Sequence, residues 1–165
     1  MSSIRQAVLI AAPEHKVFDA LTHSEGLAAW WSPGAEAVPE LGSTARFRFG
    51  PSYLKTMVVA ALEPDALVQW RCTGGADEWI GTTISIALES GSPDALRAAH
   101  VEIGGQLEPL ADVKTVTLVR FAHEGWRAET LGFSECSYTW GRFLHSLKRY
   151  CETGRGTQWP EQHRA

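Results

Sequence analysis

His123 is the residue whose type and position offer the most chemistry. It shares the strand parity of Val119 and Phe121, so its side chain is expected to point inward from a strand. An imidazole there could orient a ligand carbonyl or act as an acid or base at a cavity mouth. The structural alternative is a strand-end histidine that fixes the turn before Gly125. Burial would lower the pKa of His123 and keep the ring neutral in either case.

Other groups could assist such chemistry. Cys136 also faces inward, so a Cys–His pair with His123 is conceivable, although an inert buried thiol is the favoured interpretation. Glu135 and Glu152 are both expected to point away from the sheet, which leaves no carboxylate pair for acid/base work. Threonines that could aid proton transfer are Thr82, Thr115 and Thr117. No catalytic set converges, so we assign no catalytic residue and favour a protein that is not an enzyme.

The sequence predicts neither a metal site nor a cofactor. The six histidines have no HxH or HxxxH spacing, and no Cys-x-x-Cys accompanies them. The three cysteines, Cys72, Cys136 and Cys151, cannot all pair within the chain. An odd count with wide spacing is not a disulfide framework, so we expect a reducing, cytoplasmic compartment.

Composition excludes several classes of protein. The 165 residues carry a net charge of −4, with 44% apolar and 21% charged residues, as expected for one globular domain over 1–165. A pI near 5.8 argues against nucleic acid as the partner. The longest apolar stretches, near Ala7–Ala12 and Met57–Leu62, are far below the roughly 20 residues that span a bilayer.

The order of the predicted elements indicates an α+β domain. A first strand, Ile4–Ala11, precedes two short helices, one with Pro13 at its first position that runs to about Thr22 and one capped by Ser24 that stops at Ser32-Pro33-Gly34. Alternating patterns then predict strands over Ser43–Phe49, Leu54–Leu62, Ala66–Cys72, Trp79–Leu88 and Val113–His123. Their short turns imply sequential antiparallel pairing.

Two segments are less regular. Residues 90–112 form an insertion between the last two strands, with a short helix expected near Asp94–Ala99 and an extended piece near Val101–Ile103. The C-terminal tail, Arg155–Ala165, is expected to be a loosely held surface segment.

The last predicted element is a long amphipathic helix of some 20 residues that ends at Gly154. Its apolar residues fall within an arc of about 120° and are Cys136, Trp140, Phe143, Leu144, Leu147, Tyr150 and Cys151. A twisted sheet cannot lie flush along such a straight helix. A gap lined by large side chains would therefore form an apolar cavity.

Seven tryptophans against two methionines point to aromatic cavity walls, with core packing as the alternative. Stiff aromatic rings would favour planar apolar ligands through stacking. The predicted ligand-binding residues are Trp30, Phe47, Phe49, Trp70, Trp79, Phe121, His123, Trp140 and Phe143.

Four segments carry a family resemblance: Ala11–Trp31, Gly81-Thr82, His123–Trp126 and Cys136–Gly156. With the order of elements, they resemble the SRPBCC superfamily, and within it the family of activator of heat-shock-protein ATPase homologues. The resemblance covers about Ile4–Gly156 apart from the insertion. It implies a START-like helix-grip fold, in which a curved antiparallel sheet wraps around the C-terminal helix and encloses a hydrophobic cavity. Members bind or transform apolar small molecules, lipids among them.

Three features of the family map onto this sequence. The double aromatic after the second helix matches Trp30 and Trp31, and the His-Glu-Gly after the last strand begins at His123. The inward helix positions match Trp140, Phe143 and Leu147. None of these is a catalytic residue throughout the family.

Three functions are therefore open. The first is binding of an apolar or aromatic small molecule without covalent chemistry. The second is a polyketide cyclase or hydratase that uses His123 as an acid or base. The third, weaker one is a protein-interaction or stress-related module, and a homodimer through the outer helix face or an edge strand also stays open.

Overall fold

The computed structural model describes residues 1–164, so Ala165 lies outside the described residues. One sheet, one long helix and four shorter helices make up the regular structure of that range. The strands are β1 (Ser2–Ile10), β2 (Thr44–Arg48), β3 (Leu54–Glu63), β4 (Leu67–Gly74), β5 (Thr83–Gly91) and β6 (Val116–Trp126). The helices are α1 (Glu14–Thr22), α2 (Ser24–Trp30), α3 (Pro93–Ala99), α4 (Gly104–Leu107) and α5 (Leu131–Thr153).

The six strands form one antiparallel sheet in the order β1-β6-β5-β4-β3-β2. Strands β2 to β6 each pair with their neighbours in sequence. Short connections join β2 to β5, whereas the insertion joins β5 to β6. The first strand pairs with the last, with Ile4 opposite His123. The predicted α+β helix-grip class is confirmed, although β5 and β6 each begin later than the alternating patterns indicated.

Helix α5 packs its apolar stripe against one face of the curved sheet. Trp140, Phe143, Leu144 and Leu147 are all buried there. The Thr130 hydroxyl caps the helix by accepting a hydrogen bond from the Phe133 amide at 3.2 Å. The predicted stop at Gly154 is confirmed, because this glycine adopts the left-handed conformation with φ of 82°.

The insertion covers the opposite face of the sheet. The predicted helix near Asp94–Ala99 is confirmed as α3, but the expected extended piece at Val101–Ile103 is wrong, since those residues form a 3-10 turn. The turn leads into α4 and carries Leu107 onto the sheet. A second apolar cluster forms from Leu9, Leu96, Leu107, Val116 and Leu118. Strands β1 and β6 are thereby covered on both faces near this cluster.

The expectation of a loosely held tail is wrong for residues 155–164. The Trp159 amide donates to the Trp31 carbonyl at 2.9 Å, and the Arg142 guanidinium donates from Nε to the Gln162 carbonyl at 2.9 Å. The Gln162 side chain is only 1% exposed. The tail docks because α2 and α5 supply hydrogen-bond partners that the local sequence does not reveal.

The tail can approach α2 this closely because residue 156 is glycine. A Cβ at Gly156 would lie 2.8 Å from Trp30 Cα and 2.9 Å from Ser146 Oγ, and would also clash with the Ala29 carbonyl oxygen. The Ser146 hydroxyl accepts a hydrogen bond from the Thr157 amide at 2.6 Å. Any side chain at 156 would push the tail away from these contacts.

We therefore expect Gly156→Ala to lower the free energy of unfolding by about 1–3 kcal/mol through overpacking. It should also make the chain easier to cleave with trypsin after Arg155. Urea denaturation and limited proteolysis measure the two effects. The matched control is Gly105→Ala, because nothing lies within 4 Å of a Cβ built at Gly105. Equal stability and equal cleavage of the two variants would contradict tail docking.

Candidate ligand-binding cleft

A cleft with a volume of about 310 Å³ opens where the tail meets the first half of α5. Its walls come from the turn between β2 and β3, the start of β3, the turn between β4 and β5, the residue after α2, helix α5 and the tail. The lining residues are Trp31, Phe49, Tyr53, Lys55, Trp79, Glu135, Cys136, Thr139, Trp140, Phe143, Trp159, Gln162 and His163. Seven of these thirteen are aromatic residues of the Trp, Phe or Tyr type, so the cleft is mainly an aromatic site.

Trp31 determines where the cleft lies. Its indole fills the space between the sheet and α5, with its centroid 4.3 Å from that of Phe47 and 5.1 Å from that of Trp140. The backbone there is fixed by the tail and by the Ser32 hydroxyl, which donates to the Arg48 carbonyl at 2.6 Å. The gap expected between helix and sheet is thus filled at Trp31, and open space remains to one side of it.

Lys55 places a positive charge within the aromatic walls. It shares the inward parity of Met57 and Val59 on β3, so its side chain enters the cleft rather than the solvent. The ammonium nitrogen lies 3.1 Å from the centroid of the Trp79 ring. The rings of Phe49 and Tyr53 are further cation–π partners at 5.1 and 5.7 Å.

The surroundings of Lys55 perturb its charge. Burial lowers the pKa of Lys55 to about 8, although the nearby Cys136, Cys72 and Glu135 oppose the shift. Lys55 forms no ion pair within residues 1–164, because no carboxylate oxygen there lies within 4.0 Å of its ammonium nitrogen. The amine is still mostly protonated at pH 7 because its pKa lies above that value.

His123 lies in the core and does not line the cleft. The ring is 0% exposed. The Trp140 indole donates to Nδ1 at 3.2 Å, which leaves the proton on Nε2 to be donated to the Thr82 hydroxyl at 2.8 Å. Thr82 in turn donates to the Trp79 carbonyl at 2.6 Å. Both ring nitrogens are therefore used within the protein.

The pKa of His123 follows from this position. Burial lowers it to about 3, and the positive charge of Lys55 adds to the shift. Lys55 and His123 are close because only the Trp79 ring separates them: its centroid lies 4.6 Å from that of His123 and 3.1 Å from the Lys55 ammonium. The neutral histidine supports the aromatic wall of the cleft from behind.

The structure brings four of the nine predicted ligand-binding residues to the cleft: Phe49, Trp79, Trp140 and Phe143. The other five, Trp30, Phe47, Trp70, Phe121 and His123, are buried in the core and do not line it. Trp30, for example, donates from its indole to the Ala20 carbonyl at 2.8 Å. Ligand binding by any of the nine stays a prediction.

Of the other candidate groups, Cys136 and Glu135 line the cleft and Thr117 does not. Cys136 lines the cleft, but the ring nitrogens of His123 bind Thr82 and Trp140, so no Cys–His pair is set up. Burial raises the pKa of the Cys136 thiol, which disfavours the thiolate. Thr117 donates to the Ala12 carbonyl at 2.7 Å, away from the cleft. Glu135 is exposed as expected and borders the cleft.

Sequence reasoning missed several lining residues. Lys55 was detectable, because a lysine on the inward parity of a strand is unusual. Trp31 was matched to the double aromatic of the family but was not placed among the predicted ligand-binding residues. Tyr53, Trp159 and Gln162 gave no signal, since a turn and a tail have no periodicity from which a direction can be inferred.

Two structural findings concern other kinds of site. Within residues 1–164, no three His, Cys, Asp or Glu side chains come together as metal ligands would. Over the same range, none of the helices combines the length and apolarity needed to cross a bilayer.

Comparison with known proteins identifies the family. Residues 11–152 match the model of the family described as Activator of Hsp90 ATPase homolog 1-like protein. The chain belongs to this family. It is an AHSA-type SRPBCC domain, and the resemblance that the sequence motifs indicated is confirmed.

Solved structures share the fold. The Aha1 dimer from Colwellia psychrerythraea is 32% identical, with a TM-score of 0.73 over 94% of this chain and 100% of that one. CalU16 from Micromonospora echinospora is 17% identical, with a TM-score of 0.63 over 98% and 80% of the two chains. The protein SSP2350 from Staphylococcus saprophyticus is 16% identical, with a TM-score of 0.66 over 94% and 95%. No curated protein matches the sequence.

The buried position of His123 predicts a pH-dependent stability. The pKa of His123 is about 3 in the folded state against 6.5 for the ordinary group, so below pH 6.5 only the unfolded chain takes up this proton. Stability should therefore fall as the pH drops from 6.5 toward 3, by about 2 kcal/mol from this residue at pH 5. Urea denaturation at pH 7 and pH 5 measures the loss.

The variant His123→Gln isolates this contribution. It should be less stable at pH 7 by about 1–3 kcal/mol, because Thr82 and Trp140 lose a hydrogen-bond partner. Its further loss on going to pH 5 should be smaller than that of the wild type. An identical pH dependence of the two proteins would show that His123 does not remain neutral in the folded state.

Proposed function

We propose that the protein binds a small aromatic molecule in the cleft beside Trp31. The observation that carries the proposal is a cleft of about 310 Å³ in which seven of the thirteen lining residues are aromatic. Ring stacking against Phe49, Tyr53 or Trp159, the lining rings that keep exposed surface, would hold a planar ligand, and edge-to-face contacts would fix its orientation. No covalent step is part of this function.

The dimensions of the cleft limit the ligand. Pockets for small molecules range over about 300–1,000 Å³, and this cleft lies at the lower end. One or two fused rings with a single polar substituent suit that volume. A long acyl chain does not, because Trp31 fills the space between helix and sheet into which the chain would have to extend.

An enzyme of the cyclase or hydratase type is the alternative. His123 is poorly placed for it, because the ring does not line the cleft and both nitrogens are hydrogen-bonded within the protein. Such an enzyme would have to use the titratable groups that border the cleft, among them Lys55, Glu135 and Cys136. Binding without chemistry needs none of them to react and is the better-supported proposal.

The binding proposal is tested by filling the cleft. We expect Thr139→Trp to abolish the binding of naphthoate and of its neutral amide, naphthamide, since Thr139 lines the cleft and an indole there would occupy it. Isothermal titration calorimetry measures both affinities. The matched control is Tyr138→Trp on the neighbouring, 66% exposed position of α5, which should bind as the wild type does.

Two outcomes would contradict the proposal. One is a wild-type protein that binds neither probe. The other is equal binding by the wild type and Thr139→Trp, which would place the probes outside the cleft. Thermal unfolding of both variants establishes that they are folded at the temperature of the titration.

We further propose that two copies of the chain associate. The support is the 32% identical structure from Colwellia psychrerythraea, which is a dimer and whose whole length matches this chain. Sedimentation equilibrium should give twice the chain mass of 18.1 kDa at micromolar concentration. A mass equal to one chain at all concentrations up to the millimolar range would contradict the dimer.

A cytoplasmic location is also part of the proposal. The structure has free thiols at Cys72, Cys136 and Cys151. Free buried cysteines suit a reducing compartment, because no bridge is needed to hold the fold.

A further inference from the structure

We infer that the molecule bound in the cleft is an aromatic carboxylate whose anionic group pairs with Lys55. The inference rests on the proposed function, because it names the chemical class of the ligand for the same cleft. It depends on three observations: a lysine with no carboxylate partner inside an aromatic site, an opposing charge at the rim, and an unpartnered buried amide on the same walls.

The first observation is that the Lys55 ammonium has hydrogen-bond donors without acceptors in the described protein. Its ammonium carries three donors and no acceptor. Its neighbours are ring faces, with Trp79 at 3.1 Å, Phe49 at 5.1 Å and Tyr53 at 5.7 Å from the nitrogen to the centroid. Ring faces stabilise the cation but accept hydrogen bonds only weakly. A carboxylate oxygen would form the charge-assisted hydrogen bonds that these rings cannot.

A comparison with Lys148 supports this interpretation. Lys148 is also partly buried, and it binds the Glu152 carboxylate at 2.8 Å and the Leu9 carbonyl at 2.7 Å. Lys55 is buried enough for its pKa to be lowered, yet its partners within residues 1–164 are ring faces. A cation that is partly desolvated without an anion is costly, and a ligand anion would remove much of that cost.

The second observation, the carboxylate of Glu135 at the rim, favours a ligand with a single negative charge. Glu135 borders the cleft and lies close enough to Lys55 to affect its pKa. The cleft therefore has one cation within its walls and one carboxylate at its rim. A dianion such as a phosphate monoester would have a single cationic partner and would be repelled by Glu135. A monoanionic carboxylate meets Lys55 with less repulsion.

The third observation is the amide of Gln162. Gln162 belongs to the wall of the cleft and is 1% exposed, and neither Nε2 nor Oε1 has a hydrogen-bond partner within the described protein. A buried amide without partners costs free energy unless a bound group supplies them. The two amide atoms are shielded from the cleft, so the side chain would have to turn toward a ligand to bind it, and Lys55 is the group that the ligand meets directly.

The test compares two ligands of the same shape and different charge. The wild-type protein should bind naphthoate at least about tenfold tighter than naphthamide at pH 7, as measured by isothermal titration calorimetry. Lys55→Met should bring this ratio close to one by weakening naphthoate alone. Lys55→Arg keeps the charge and should retain most of the preference.

The matched control is Lys114→Met, which changes the net charge equally at an exposed position outside the cleft. It should keep the wild-type ratio. The inference is overturned if the wild type binds naphthamide as well as naphthoate, and this result needs no variant to fold. It is also overturned if Lys55→Met keeps the preference. If the wild type binds neither probe, the proposed function fails and the inference fails with it.

Discussion

The indole of Trp31 occupies the space between the sheet and α5, and the rest of the site depends on that placement. Its centroid lies 4.3 Å from that of Phe47 on β2 and 5.1 Å from that of Trp140 on α5. One side chain thus joins the two layers of the fold and fills the gap that sheet twist would otherwise leave. The cleft is the part of the gap that Trp31 does not fill, which explains why it lies toward the first half of α5.

Two polar groups on either side of Trp79 have opposite roles. His123 is buried, neutral and fully hydrogen-bonded, so it holds Trp140 and the turn that carries Trp79 in place. Lys55 is charged and has only ring faces for partners, so its hydrogen-bonding capacity is directed to the cleft. The same aromatic wall is therefore fixed by His123 on the core side and contacts the Lys55 ammonium on the cleft side. A histidine that titrated near pH 7 would weaken the wall whenever it took up a proton.

The C-terminal tail and the insertion complete opposite faces of the sheet. The tail brings Trp159 and Gln162 to the cleft and closes one side of it. The insertion brings Leu96 and Leu107 onto the far side of β1 and β6. The insertion is mostly helical and the tail is mostly irregular, and both contact residues distant in the sequence. The site thus depends on a tail that has little regular structure of its own.

The sequence by itself determined the class of fold, the order of strands β2 to β6, the long helix and its end at Gly154, because alternation, helical periodicity and turn residues are local signals. It also indicated the aromatic character of the site. The alternation along β6 predicted that the His123 side chain points inward, but it did not distinguish a ring that lines a cavity from one buried in the core. Only the tertiary structure decided that Trp31 fills the gap, that the tail closes the cleft and that Lys55 lies among aromatic rings. The physical reason is that these outcomes depend on side-chain volumes and hydrogen-bond partners from different segments of the chain, such as Trp31 and Trp159 or Lys55 and Trp79, which no local pattern encodes.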